Sequence, residues 1–229
     1  MSRFAKVTSW GASVLLGLSI ALSAAAAQAS TPDVVPQVTD ASAAGPTVVA
    51  IGDSIMEGHG LAPDQAWPAL LAQRYGWRLT NLASDGSGFA TAGNNGDTFA
   101  DQVAVALTLH PSIVIISGSS NDVDRTPSTL SADTEQTLQT LRAGLPDAQI
   151  LVVSPVWSDT PEPDRLASID VQTAGDAQGI GARVIDIGQP LSGRADLMLP
   201  DDVHPTAQGQ QAIAQAVARA LATRTAQSG

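Results

Sequence analysis

The chain has 229 residues, which is enough for one domain with a full hydrophobic core and short for two. Apolar residues make up 44% and charged residues 14%, a globular balance that excludes a disordered or fibrous protein. The net charge of -11 would repel a phosphate backbone, so we expect no nucleic acid partner. The absence of cysteine excludes cysteine nucleophiles and thiolate metal sites.

The first residues carry an export pattern. Arg3 and Lys6 give a positive start, a mostly apolar run follows over 10–27, and Ala27-Gln28-Ala29 has the small-x-small form that signal peptidases cleave. A retained membrane anchor is the alternative, but the glycines and the alanine-rich end make the run weakly hydrophobic for a spanning helix. We predict a signal peptide over 1–29, cleaved after Ala29, and a secreted protein with no stable membrane insertion after cleavage.

Residues 30–45 are small, polar and interrupted by proline, which predicts a flexible leader between the cleavage site and the domain. Short apolar runs rich in Val, Ile or Leu follow, as expected of strands that are buried on both faces. The five predicted strands are 47–51, 77–82, 112–116, 149–153 and 183–187.

Helix-like stretches lie between these strands. Apolar residues recur at helical spacing in three stretches, from Trp67 to Tyr75, from Phe99 to Leu107 and from Ile213 to Leu221. Thr126-Pro127-Ser128 leads into a further predicted helix over 128–143. Alternating strands and helices predict one α/β domain over 46–229, a five-stranded parallel sheet with helices on both faces. Ligands of such sheets bind outside the carboxyl ends of the strands.

Three predicted strands end in segments that could form a site. Gly52-Asp53-Ser54-Ile55 follows the first strand, where Ser54 could present its hydroxyl or merely cap a helix. The second is followed by 81–88, whose glycines allow close approach of the backbone to a ligand or simply form a turn. In 118–122, after the third strand, Asn121 could donate its amide to an oxyanion or could cap the next helix.

The chain has three histidines, and one of them has carboxylates at short spacing. His204 follows Asp201 and Asp202, and Asp201 can fold back over one turn to accept the imidazole N–H. His204 is therefore the natural base for acyl transfer by a serine, although a solvated and idle histidine is the alternative. His59 could line the pocket, whereas His110 precedes the third strand at the opposite edge. A metal site of His59, His204 and aspartates is an alternative without a supporting motif.

These segments together resemble the SGNH (GDSL-type) hydrolase superfamily. GDSI at 52–55, NLASDG at 81–86, SSND at 119–122 and DDVH at 201–204 are similar to its conserved blocks in order and spacing, and the similarity spans about 46–222. The resemblance implies a flavodoxin-like α/β sandwich with Ser54 as nucleophile, His204 as base and Asp201 as its orienting carboxylate. It further implies an oxyanion hole made by the backbone N–H groups of Ser54 and Gly86 and the side-chain amide of Asn121.

Two positions depart from the family pattern. Ser119 stands where the third block usually has glycine, which puts the geometry of that loop in doubt, and Ile55 replaces leucine in the first block, an exchange between apolar residues. An α/β-hydrolase is excluded, because no serine lies in the Gly-x-Ser-x-Gly motif of its nucleophile elbow.

The resemblance implies an esterase that needs no cofactor. Few aromatic residues and no long amphipathic lid favour short acyl chains carried by a soluble or cell-wall carbohydrate. An acyltransferase that acts on carbohydrate and a catalytically silent glycan-binding surface protein are the alternatives. We expect a monomer.

Overall fold

The computed structural model describes residues 32–39 and 45–223. The predicted signal peptide over 1–29 lies outside the described residues. One sheet of six strands has the order β1-β3-β2-β4-β5-β6. The strands are β1 (Gln37–Thr39), β2 (Thr47–Ile51), β3 (Arg78–Asn81), β4 (Ile113–Ser117), β5 (Gln149–Val153) and β6 (Arg183–Ile185). Strands β2 to β6 are all parallel, and β1 pairs antiparallel with β3.

Helices cover both faces of this sheet. They are α1 (Ser54–Glu57), α2 (Trp67–Tyr75), α3 (Phe99–Leu109), α4 (Pro127–Gly144), α5 (Asp164–Gly179) and α6 (Ala207–Thr223), with short 3-10 turns at Pro63–Gln65, Ser120–Asp122 and Ala195–Leu197. Among these helices none has the length and apolar character that crossing a bilayer requires.

Strand β2 shows how the sheet separates two hydrophobic cores. Val48 and Ala50 belong to the core that includes residues of α2 and α6. Val49 and Ile51 point to the other face, where the core includes residues of α3, α4 and α5. Because successive side chains of a strand point to opposite faces, a strand buried on both sides must be apolar at every position. The continuous apolar runs of the sequence have this cause. The predicted α/β fold with helices on both faces is confirmed, and the sheet is parallel over β2 to β6.

The structure differs from the prediction at one edge of the sheet. The segment predicted as a flexible leader contains β1, whose residues Gln37 to Thr39 pair with Asn81 to Leu79 of β3, so the sheet has six strands rather than five. Strand β3 would otherwise be an edge with unpaired backbone groups, and β1 satisfies them. The leader prediction is therefore wrong for this part of 30–45.

Candidate active site

The nucleophile candidate lies at the junction of β2 and α1. Asp53 caps α1, because its carboxylate accepts the N–H of Ile55 at 3.0 Å, and Ser54 is the first residue of the helix. The alternative in which Ser54 itself is the capping residue is therefore wrong. The side chain of Ser54 is therefore free to bind another partner, and Ser54 is 7% exposed.

That partner comes from the far end of the chain. The imidazole Nε2 of His204 lies 3.0 Å from the hydroxyl Oγ of Ser54, across 150 residues of sequence. The loop before α6 is held in place by the N–H of Leu199, which donates to the carbonyl of His204 at 2.7 Å. Buried Gln210 of α6 also donates to the carbonyl of Ile55 at 2.9 Å. This bond joins the helix that follows His204 to the helix that carries Ser54.

Asp201 holds the other side of the imidazole. One carboxylate oxygen lies 2.8 Å from Nδ1 of His204, and the other accepts the backbone N–H groups of Val203 and His204. The bonds from the backbone and the ring of His204, with that from Val203, hold the pKa of Asp201 well below its ordinary value. Because an ionised carboxylate only accepts hydrogen bonds, Nδ1 carries the proton and Nε2 is free to accept the hydroxyl of Ser54.

The two other predicted oxyanion donors lie on loops at the same end of the sheet. Gly86 has a φ of +78°, a left-handed conformation that glycine adopts without strain, in the loop after β3. Asn121 lies in the short turn after β4, where one hydrogen of its side-chain amide is donated to the carbonyl of Ser87 at 2.9 Å. The amide has a second hydrogen, which leaves one N–H for a ligand.

A comparison with protein families matches residues 50–212 to the GDSL-like Lipase/Acylhydrolase family. The match contains Ser54, Gly86, Asn121, Asp201 and His204. The chain belongs to this family. The resemblance inferred from the sequence is thereby confirmed, and so is the predicted class of enzyme, a serine ester hydrolase.

Known proteins agree with this GDSL-like hydrolase in sequence and in fold. A GDSL lipase of Mycobacterium tuberculosis is 27% identical over 186 residues, which cover 75% of this chain and 79% of the relative. The crystal structure of TesA has a TM-score of 0.63 at 23% identity and covers 77% of this chain and 98% of that one. The psychrotrophic esterase EstA from Pseudoalteromonas, inhibited by monoethylphosphonate, has a TM-score of 0.63 at 17% identity and covers 79% and 98%.

Ser119, the departure from the family glycine, has a clear place in the GDSL-like hydrolase. Its hydroxyl donates to Asp53 at 2.8 Å and accepts the backbone N–H of Asn121 at 3.1 Å. Burial raises the pKa of Asp53, and the hydrogen bond from Ser119 opposes that rise. The extra hydroxyl thus joins the loop of the nucleophile to the loop of the asparagine.

Buried polar residues outside the predicted catalytic set hold the other loops. Asp122 accepts the N–H groups of Phe89 and Ala90 and the hydroxyl of Thr91, which fixes the segment that follows Gly86. Gln102 of α3 exchanges two hydrogen bonds with the backbone of Gly52. These contacts join positions 31 to 50 residues apart, and short sequence motifs do not reveal them.

The sequence left open whether His59 lines the pocket or binds a metal, and the structure places it against His204. Its ring stacks on the ring of His204, with centroids 4.0 Å apart and an interplanar angle of 24°. His59, His204 and Asp201 offer three possible metal ligand atoms within 4.8 Å of one another. A metal ion binds in the plane of an imidazole, so an ion shared by two nearly parallel rings requires one ring to turn. His110 lies at the amino end of the sheet, as predicted.

Proposed function

We propose that this hydrolase cleaves carboxylic esters through an acyl-enzyme on Ser54. The hydroxyl of Ser54 attacks the acyl carbonyl carbon while Nε2 of His204 takes its proton. The tetrahedral intermediate collapses when His204 gives that proton to the alcohol, which leaves as the C–O bond breaks. Water then attacks the acyl-enzyme with His204 as its base, and the carboxylic acid and free Ser54 result.

Three donors have the roles of oxyanion stabilisers in this mechanism. The backbone N–H groups of Ser54 and Gly86 and the free amide hydrogen of Asn121 bind the negative charge that develops on the carbonyl oxygen. Each of these hydrogen bonds is strongest in the transition state, because the carbonyl oxygen carries more negative charge there than in the substrate.

One observation carries the proposal. A hydroxyl, an imidazole and a carboxylate from distant parts of the chain form a continuous hydrogen-bonded series, at 3.0 Å between Ser54 and His204 and 2.8 Å between His204 and Asp201. A helix-capping serine and a solvated histidine would have no reason to meet in this way. The series matches the geometric requirement for activating a serine nucleophile.

The test is turnover of p-nitrophenyl acetate together with labelling by a fluorophosphonate probe. The wild-type protein should do both, and Ser54→Ala should abolish both. Ser168→Ala is the matched control, because Ser168 is an exposed serine on α5. A wild-type protein that neither turns over the ester nor accepts the probe would contradict the proposal and favour a silent glycan-binding protein.

We infer that the preferred acyl group is short. Aromatic residues make up only 3% of the chain, and the sequence shows no long amphipathic segment of the kind that covers a lipid chain. An ester series from acetyl to long-chain acyl, with acetylated sugars included, should show activity falling with chain length.

Product analysis with an added acceptor alcohol separates hydrolysis from acyl transfer.

Two further expectations accompany this function. The chemistry needs no cofactor, so EDTA should leave ester hydrolysis unchanged, and strong inhibition would favour a metal at His59, Asp201 and His204.

We also propose that the protein is secreted. Mass spectrometry of the protein recovered from the medium of a bacterial host should then show an N-terminus at Ser30.

A further inference from the structure

A second histidine–aspartate pair lies beside the first. The loop after α1 contains Gly58 and Gly60 with φ values of +87° and +73°, and these left-handed turns fold His59 back toward the nucleophile helix. The backbone N–H of His59 donates to the carbonyl of Ser54 at 3.0 Å. Because this bond fixes the backbone of His59 relative to Ser54, its side chain starts from a defined position.

The ring of His59 covers one face of the ring of His204. The 4.0 Å separation of the centroids is contact distance for stacked rings, and 24° between the planes is close to parallel. The side chain of His204 is 17% exposed, so little of it remains open to solvent. A ring that is covered on one face and bound to Asp201 at its edge has little freedom to turn away from Ser54.

Asp85 fixes the covering ring in turn. Its carboxylate lies 2.6 Å from Nδ1 of His59, in the same relation that Asp201 has to His204. Asp85 directly precedes Gly86, one of the proposed oxyanion donors. The bond between His59 and Asp85 therefore connects three parts of the site: the loop after the nucleophile helix, the face of the base and the loop of Gly86.

Glu57 lies behind this pair. Burial, together with the neighbouring Asp85 carboxylate, raises the pKa of Glu57 to about 7. Oε2 of Glu57 and Oδ1 of Asp85 are both buried, and neither has a hydrogen-bond partner among the described residues. A proton on Glu57 that is shared between the two carboxylates gives both atoms a partner.

We propose that His59 is a positioning residue for His204, acting through ring stacking, and that Asp85 holds His59 in place. This inference rests on the proposed function and adds a residue that orients the base without touching the substrate. Its effect lies on the proton-transfer steps, so it should act on kcat more than on KM.

The experiment compares variants on p-nitrophenyl acetate, with each kcat divided by the number of sites that a fluorophosphonate probe labels at completion. This normalisation removes the contribution of misfolded protein. His59→Ala should lower kcat about tenfold with KM within about twofold, because the base is less often correctly aligned. His59→Phe keeps a flat ring on the same face and should restore kcat to within about threefold of wild type.

Asp85 is tested in two backgrounds. Asp85→Ala should lower kcat about fivefold in the wild-type protein and have no further effect beside His59→Phe, because Asp85 acts through His59. His110→Asn, at the other end of the sheet, is the histidine control and should leave kcat unchanged.

Three results would overturn the inference: His59→Ala with kcat within twofold of wild type, His59→Phe no better than His59→Ala, or Asp85→Ala equally harmful in both backgrounds. Each is distinct from failure of the proposed function, in which the wild-type protein itself would be inactive.

Discussion

The two ends of the sheet both carry histidines, and they differ in what surrounds these side chains. At the amino end, His110 ends α3 with a φ of +45° and borders a depression of about 370 Å³ that Pro111 and Asp147 also line. At the carboxyl end, Ser54, His204 and Asp201 form a hydrogen-bonded series. The convergence of polar groups therefore distinguishes this end of the sheet, although the open depression lies at the other end.

The cause lies in the topology. Loops at the carboxyl ends of parallel strands come from distant parts of the chain and meet at one edge, where helix N-termini also point. At the amino end, short connections such as Leu145 to Ala148 lead straight from a helix into the next strand. The following substitutions test this contrast between the two ends.

The largest difference in kcat is expected between substitutions of His204 and of His110. His204→Ala removes the base and should lower kcat by at least about 10⁴-fold, whereas His110→Asn should stay within about twofold of wild type. Steady-state kinetics on p-nitrophenyl acetate measures both. Asn is chosen at position 110 because it tolerates the positive φ there. Comparable losses from both substitutions would remove the distinction between the two ends.

Two adjacent carboxylates give the next largest contrast. Asp201→Ala should lower kcat about 10²- to 10⁴-fold, because His204 loses the group that fixes its tautomer. Asp202 has a φ of +57°, so Asp202→Asn keeps a residue suited to that backbone and should stay within about twofold. The same kinetic assay decides between them, and the reverse order would mean that Asp202 orients the base.

The sequence predicted those parts of the molecule whose signal is local. Strand β5 buries four of its five residues, so its apolar run stands out. Ser54 and Asn121 follow from motifs at strand ends, and His204 follows from the carboxylates that precede it at short spacing. Strand β1 has three residues in a polar, proline-containing segment, and only pairing with β3 makes it a strand.

Helix α5 was not predicted, because its buried positions include Thr173 and Ala177 beside Leu166 and Ile169. The contact of His59 with Asp85 joins residues 26 apart and depends on the tertiary fold.

A smaller effect, on stability rather than on rate, is expected at Ser119. Ser119→Ala leaves one oxygen of the buried Asp53 carboxylate without its side-chain donor, which should lower the free energy of unfolding by about 1–3 kcal/mol. Ser168→Ala, exposed on α5, should change it by less than about 0.5 kcal/mol. Urea unfolding followed by circular dichroism measures both. Equal stabilities for the two variants would show that the hydroxyl of Ser119 does not join the two loops.

The last contrast is the dependence of stability on pH. The pKa of Glu57 is raised from 4.5 to about 7 in the folded chain, chiefly by burial and then by Asp85. The folded state therefore binds more protons than the unfolded state between these values, so the free energy of unfolding falls as pH rises through this window. After allowance for partial exposure, the loss should be about 1–2 kcal/mol between pH 4.5 and 7.

Glu57→Gln should remove that part of the slope, because glutamine keeps a donor toward Asp85 at every pH and does not titrate. Other carboxylates with raised pKa values, such as Asp170, titrate in the same window in both proteins, so the difference between the two curves isolates Glu57. Asp147→Asn, an exposed carboxylate at the amino end, is the control and should leave the wild-type slope intact. If Glu57→Gln and wild type lose stability in parallel, Glu57 shares no proton with Asp85 in the folded protein. The second histidine–aspartate pair would then stand without a protonated neighbour behind it.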